Sequence, residues 1–156
     1  MRTYTMSFSN VSVSAAQDLM CLYSGTGGAF EVHEAVFGQI TATTVGNLRF
    51  HVGRLPATVT AGSGGSAGVI NKNRSGDGAA TVTGRINDTT PATTGGTEVI
   101  LRSDVYNPIN GYQYLPAPED RPAANPSEAI RVSLDQAPGS AETMSGTITF
   151  AEMIPV

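Results

Sequence analysis

A chain of 156 residues is the size of one ordinary domain, large enough to bury about two thirds of the surface its unfolded form exposes, so a single core over 1–156 is expected. Only 14% of the residues are charged, against about 25% in an average globular domain, and the formal charge is −4; the basic stripe that matches a phosphate backbone is missing, so nucleic acid is not an expected partner. No apolar run approaches the ~18 residues of a membrane span, Arg2 is followed by alternation rather than by the apolar segment of a secretory signal, and the lone Cys21 closes no disulfide within the chain.

Residues 3–13, TYTMSFSNVSV, place Tyr4, Met6 and Phe8 on one side and Thr5, Ser7 and Ser9 on the other, the period of a strand with one buried face. The SAAQ at 14–17 has capping-box spacing, but Gly25, Gly27 and Gly28 stop any helix after about ten residues, so a turn and a second strand through DLMCLYS are expected. Cys21 sits there among apolar neighbours and reads as a buried, inert thiol. Strands follow in AFEVHEAVFGQI at 29–40 and NLRFHVGRL at 47–55, joined by TATTVG as a connection. From Pro56 to Gly96 the pattern dissolves into Gly, Ser, Thr, Asn and Asp, and only AATVTGRI at 79–86 could hold a short strand. An irregular region of this length is functional, extended over a partner, or disordered when alone.

Order resumes with TEVILRSDVYN at 97–107, GYQYLP at 111–116, AIRVSLD at 129–135 and TMSGTITFAEM at 143–153. Turn chemistry separates them at Asn107-Pro108, Asn110-Gly111, the proline-rich PAPEDRP at 116–122, and Pro138-Gly139. About eight strands and no helix predict an all-β, antiparallel β-sandwich of the jelly-roll or Greek-key type.

The stretch GSGGSAG at 62–68 fits two motifs by spelling. As a nucleophile elbow around Ser66 it needs a following helix and a downstream histidine, but VINKNRSGDG follows, and both His33 and His51 come earlier in the chain. As a dinucleotide fingerprint it needs the same helix to receive a pyrophosphate, so no cofactor is expected. Glu31 and His33 share a strand face, and His51 could join them from a neighbouring strand only as an incomplete metal set. Glu119 and Asp120 read as surface charge or as partners for Arg121. Tyr106, Tyr112 and Tyr114 cluster around Asn110-Gly111 and are either interface residues or core at a sheet end.

The segments YTMSFSNVSVSAAQDL, GSGGSAG, NPINGYQYLPAPEDRP and TMSGTITFAEM resemble a group of small proteins encoded among the structural genes of tailed bacteriophages and prophages, in order over residues 4–153. The resemblance implies a non-enzymatic virion protein, made in the bacterial cytoplasm and placed on the capsid surface as a decoration or cement protein. It further implies a homotrimer that bridges copies of the major capsid protein, with no catalytic, metal or cofactor residues. The residues expected at such contacts are Gly62, Gly64, Gly65, Ser66, Asn71 and Arg74 in the long loop, and Tyr106, Tyr112, Tyr114 and Arg121 near the second turn. A tail, fibre or baseplate component and a cupin-like metal enzyme are the alternatives.

Overall fold

A computed structural model describes residues 1–40 and 46–153, so the connection expected over TATTVG lies almost wholly outside the described residues. In chain order the strands are β1 (Arg2–Val13), β2 (Asp18–Tyr23), β3 (Ala29–Gln39), β4 (Leu48–Leu55), β5 (Val59–Thr60), β6 (Ser66–Ala67), β7 (Ile70–Lys72), β8 (Thr83–Asp88), β9 (Thr93–Thr94), β10 (Val99–Tyr106), β11 (Tyr112–Tyr114), β12 (Ala123–Ala124), β13 (Ala129–Leu134) and β14 (Glu142–Met153). Among the described residues the only helical element is a single 3-10 turn at Pro118–Asp120. The fold is an all-β sandwich, as the alternation predicts.

Sheet A runs β11–β3–β14–β1–β7, with β12 also pairing to β3, and sheet B runs β10–β4–β13–β2–β8–β6. All pairings are antiparallel and the principal ones are nested: β1 with β14, β2 with β13, β3 with β11 and β12, and β4 with β10. The segment between β4 and β10 departs from the expectation of a loop without regular structure. It carries β5 to β9, of which β7 extends sheet A, β8 and β6 extend sheet B, and β5 and β9 pair with each other. The strand expected in AATVTGRI forms, shifted toward its C-terminal end as β8.

The core lies between the sheets because β1, β3, β4, β13 and β14 each turn alternate apolar side chains inward. Tyr4, Met6 and Phe8 of β1, Phe30, Ala35 and Phe37 of β3, and Ile148 and Phe150 of β14 face Met20 and Leu22 of β2, Leu48, Phe50 and Val52 of β4, and Ile130, Val132 and Leu134 of β13. Aromatic rings join the two layers at one end. Phe37 of sheet A sits edge-on to Phe50 and Tyr106 of sheet B, both with centroids 5.0 Å away, and stacks on Tyr112 at 5.8 Å. Such pairs add about 0.5–1.5 kcal/mol each beyond the area they bury. Phe37→Ala therefore removes the hub of this cluster and lowers unfolding free energy by roughly 3–5 kcal/mol, read from the midpoint of urea denaturation followed by near-ultraviolet circular dichroism.

Candidate interaction surfaces

The two outer faces of the sandwich differ. That of sheet B is roofed by the chain's own insertion between β4 and β10. The same alternation that sends Ile130 and Val132 inward turns Arg131 outward, and its guanidinium organises the roof. Nε and Nη2 donate to the two carboxylate oxygens of Glu98 at 2.8 and 2.5 Å, and Nη1 donates to Asp18 at 3.1 Å and to the Ala92 carbonyl at 3.2 Å. Asp18 also accepts the Ala92 N–H at 2.8 Å. Gly53 leaves the space that Glu98 occupies, since a methyl at that position would overlap its carboxylate. His51 lies beside it, with Nε2 3.1 Å from Glu98 and Nδ1 2.5 Å from Asp135, and Asp135 pairs in turn with Arg49. Cys21, Leu55, Ala92 and Ala129 form a small apolar cluster under the same roof, and burial pushes the Cys21 thiol well above its ordinary value, leaving it protonated and inert.

The glycine-serine stretch belongs to this roof. The Gly62 N–H donates to the Tyr23 hydroxyl at 3.4 Å, Ser63 bridges to Thr90, and the Gly65 N–H donates to Asp88 at 3.0 Å. Asp88 is held by Arg85 through two bonds of 2.7 Å. Gly64 takes a φ of +90°, and at Gly65 a methyl would run into the carbonyl of Ile86. Of the glycines expected at such contacts, Gly62 is buried against Asp88 and Thr90, while Gly64 and Gly65 pass close to Thr89 and Ile86 and stay exposed. Ser66, on β6, is exposed, and so are Asn71 on β7 and Arg74 in the turn beyond it, which remain open for contact.

The tyrosines divide. Tyr106 is buried in the core at 4% exposure, with its hydroxyl unpartnered among the described residues, and so offers no surface. Tyr112 and Tyr114 lie half-buried on one face of β11 and line a cleft of about 630 Å³ between the two sheet edges, together with Arg54, Arg102, Leu101 and Arg121. Tyr112 donates to Asp104 at 3.0 Å while Arg102 donates to both, at 2.6 Å to Asp104 and 3.3 Å to Tyr112. Arg121 does not pair with Glu119 or Asp120; it reaches Glu31 at 3.2 Å, which also holds His33 at 2.7 Å. The long-range partner wins because β12 carries Arg121 alongside β3, pairing Ala123 with Glu31.

Sheet A's outer face has no insertion over it, and its charged groups, Glu31, His33, Glu34 and Arg121, gather toward one end of β3. Alternation presents Thr5 and Ser7 of β1, Ser145, Thr147 and Thr149 of β14, and Val36 of β3, with Ser7 and Thr147 hydroxyls 2.8 Å apart. An open groove of about 510 Å³ runs across it, flanked by exposed Val36, Ile40 and Ile109 and lined by no charged residue. His33 lies on sheet A and His51 on the far side of sheet B, so the metal set contemplated from the sequence does not converge, and no group of three or more potential ligands occurs among the described residues. Sequence reasoning missed this face and the Arg131 hub; the Ser/Thr alternation in β1 and β14 was the available signal for the first. Compared with known proteins, the chain matches no family model, no curated protein and no solved structure.

Two outcomes follow from the roof. Gly65→Ala forces the loop off β8, so amide hydrogen exchange rises over residues 62–68 and 83–88 while β13 and β14 keep their protection. The second concerns acid. Burial raises the Glu98 carboxyl, but the hydrogen bonds and charge of Arg131, with His51, outweigh it and hold it below the ordinary carboxylate range. A carboxyl so lowered stabilises the fold above its unfolded-state value, and that contribution disappears as pH falls through the folded-state value. Glu98→Gln thus lowers stability at neutral pH and flattens the acid limb of the curve of unfolding free energy against pH, measured by urea denaturation between about pH 7 and about pH 3.

Proposed function

We propose that the protein is a capsid decoration protein of a tailed-phage head, docking on the major capsid protein through the open outer face of sheet A. The observation that carries this reading is the inequality of the two faces. A sandwich that covers one face with its own insertion and leaves the other open, with a charge-free, hydroxyl-lined groove at one end and Glu31, His33, Glu34 and Arg121 held by one another and by Gln113 at the other, is built to lay that groove on something else. Hydroxyls and small apolar side chains give up little hydration on contact, whereas buried unpaired charge costs several kcal/mol, so a groove without charge suits a close-fitting contact. The nested strand pairing supports a jelly-roll reading, an order found in viral coat domains. Exposed Asn71 and Arg74 at the sheet A edge extend the same side toward a second capsid subunit. Bridging of that kind stabilises a shell because separation must break several weak contacts at once.

Purified protein added to heads that lack it is expected to bind to saturation and to raise the temperature at which the heads open. Val36→Arg, a charge placed in the groove of this face, abolishes binding without moving the melting temperature of the free protein. Heads that neither take up the wild-type protein nor gain heat resistance overturn the proposal, and density for bound protein on the tail rather than the shell reassigns the role.

A further inference from the structure

The sheet edges differ as much as the faces. Sheet B ends on one side in the two-residue β6 and on the other in β10, an eight-residue strand with Val99, Ile100, Leu101 and Val105 exposed. A long apolar edge is a template for another strand unless it is blocked. Two observations show which backbone groups of β10 point outward. Val105 lies opposite Arg49, whose carbonyl accepts the Asp135 N–H on the β13 side and so faces away from β10. The Val105 N–H is taken by its neighbour's side chain, donating to Asp104 at 2.8 Å. Residue 105, and by alternation 103, therefore presents its N–H and C=O to the free edge.

We propose that β10 pairs antiparallel with β10 of a second copy about a two-fold axis through Ser103, joining two copies of sheet B into one continuous sheet. An isologous antiparallel pair must be centred on or between residues of the same strand, and only an outward-facing residue can sit at the centre of a hydrogen-bonded pair. Centred on Ser103, the register sets Arg102 against Asp104 of the second copy, twice over, and Leu101 against Val105. Centred on Leu101 it sets Asp104 against Glu98, like against like; centred on Val105 it runs past the end of β10 and sets Arg102 against Pro108 and Asp104 against Tyr106, so neither charge meets its opposite. Charge complementarity thus selects one register. In the free chain Asp104 caps the edge, its carboxyl held low by the Val105 N–H, Arg102 and Tyr112. On pairing, the Val105 N–H passes to the Leu101 carbonyl of the second copy and Asp104 turns to the second copy's Arg102. Ile100 and Val105, each about half exposed in the single chain, gain cover.

The inference stands on β10 alone and does not depend on the capsid reading, whose surface is sheet A. Sedimentation equilibrium of the full chain is expected to give a reversible dimer. Val105→Pro removes an outward N–H without touching the β4 ladder and gives a monomer with an unchanged far-ultraviolet spectrum. Arg102→Asp weakens association on the order of tenfold or more by opposing two carboxylate pairs, and the exchange Arg102→Asp with Asp104→Arg restores it. Ser103→Cys forms a covalent dimer on mild oxidation, with Cys21 buried and out of reach. A wild-type chain that stays monomeric at high concentration, or a trimer whose mass Val105→Pro leaves unchanged, overturns the proposal. Head binding that survives in Val105→Pro but fails in Val36→Arg separates this edge from the capsid-binding face.

Discussion

Everything on the outer side of sheet B hangs on the guanidinium of Arg131. Its planar set of five donors reaches two carboxylates and a backbone carbonyl that come from different parts of the chain: Asp18 at the start of β2, Ala92 in the insertion, and Glu98 at the insertion's exit. A lysine would present one charge to one of them. Removing the cation would strand two carboxylates in a partly dry site, where burial already raises the Asp18 carboxyl above its ordinary value despite the arginine beside it. Val82, with Ile70, Ala80 and Ile86 beside it, anchors one part of the insertion in the main core, whereas the part over Arg131 has only Ala92 and Val59 as apolar anchors, so its order there is a matter of ion pairs and backbone bonds.

This arrangement sorts the few charges the chain possesses. Arg49, Arg85, Arg131, Asp18, Asp88, Glu98 and Asp135 are spent on one side of the molecule, mostly on one another. On the opposite face the groove is left to serine, threonine and apolar residues, and Glu31, His33, Glu34 and Arg121 lie beyond it. Low overall charge and an uncharged docking groove are therefore two aspects of the same distribution, and the ion pair of Arg102 with Asp104 marks the long edge of sheet B where backbone groups are unclaimed.

Alternation made the long strands legible. TYTMSFSNVSV, AIRVSLD and TMSGTITFAEM declare their buried faces residue by residue, and the structure follows them. Where the local pattern breaks, tertiary contacts decide. TEVILRSDVYN does not alternate because a bulge between Ile100 and Arg102 adds a residue to β10, so three apolar side chains run in sequence along an exposed edge. The insertion reads as loop because its strands other than β8 are two or three residues long and find their partners far away in the chain. GSGGSAG spelled flexibility, whereas its glycines are needed for contact with Ile86 and Asp88 about twenty residues later, a requirement no local window contains. Arg121 likewise found Glu31, ninety residues away in sequence, over its immediate neighbours. The tyrosine cluster was visible as a cluster; its division into a core residue and two cleft residues depends on which side of Asn110-Gly111 each one falls.

The nested pairing also dictates an order of events in time. β1 can find β14 only across almost the whole chain, with Arg2 opposite Glu152, and β14 is the strand that joins β1 to β3. Sheet A therefore cannot close until the last strand has been made, and during synthesis the apolar faces of β1 and β3 wait uncovered. Loop-closure entropy is lost before these distant contacts return anything, which is the condition for slow folding and for exposure to aggregation or chaperones along the way. A topology that locks first strand to last yields a body that resists being pulled apart from either end, at the cost of a long vulnerable interval before it exists.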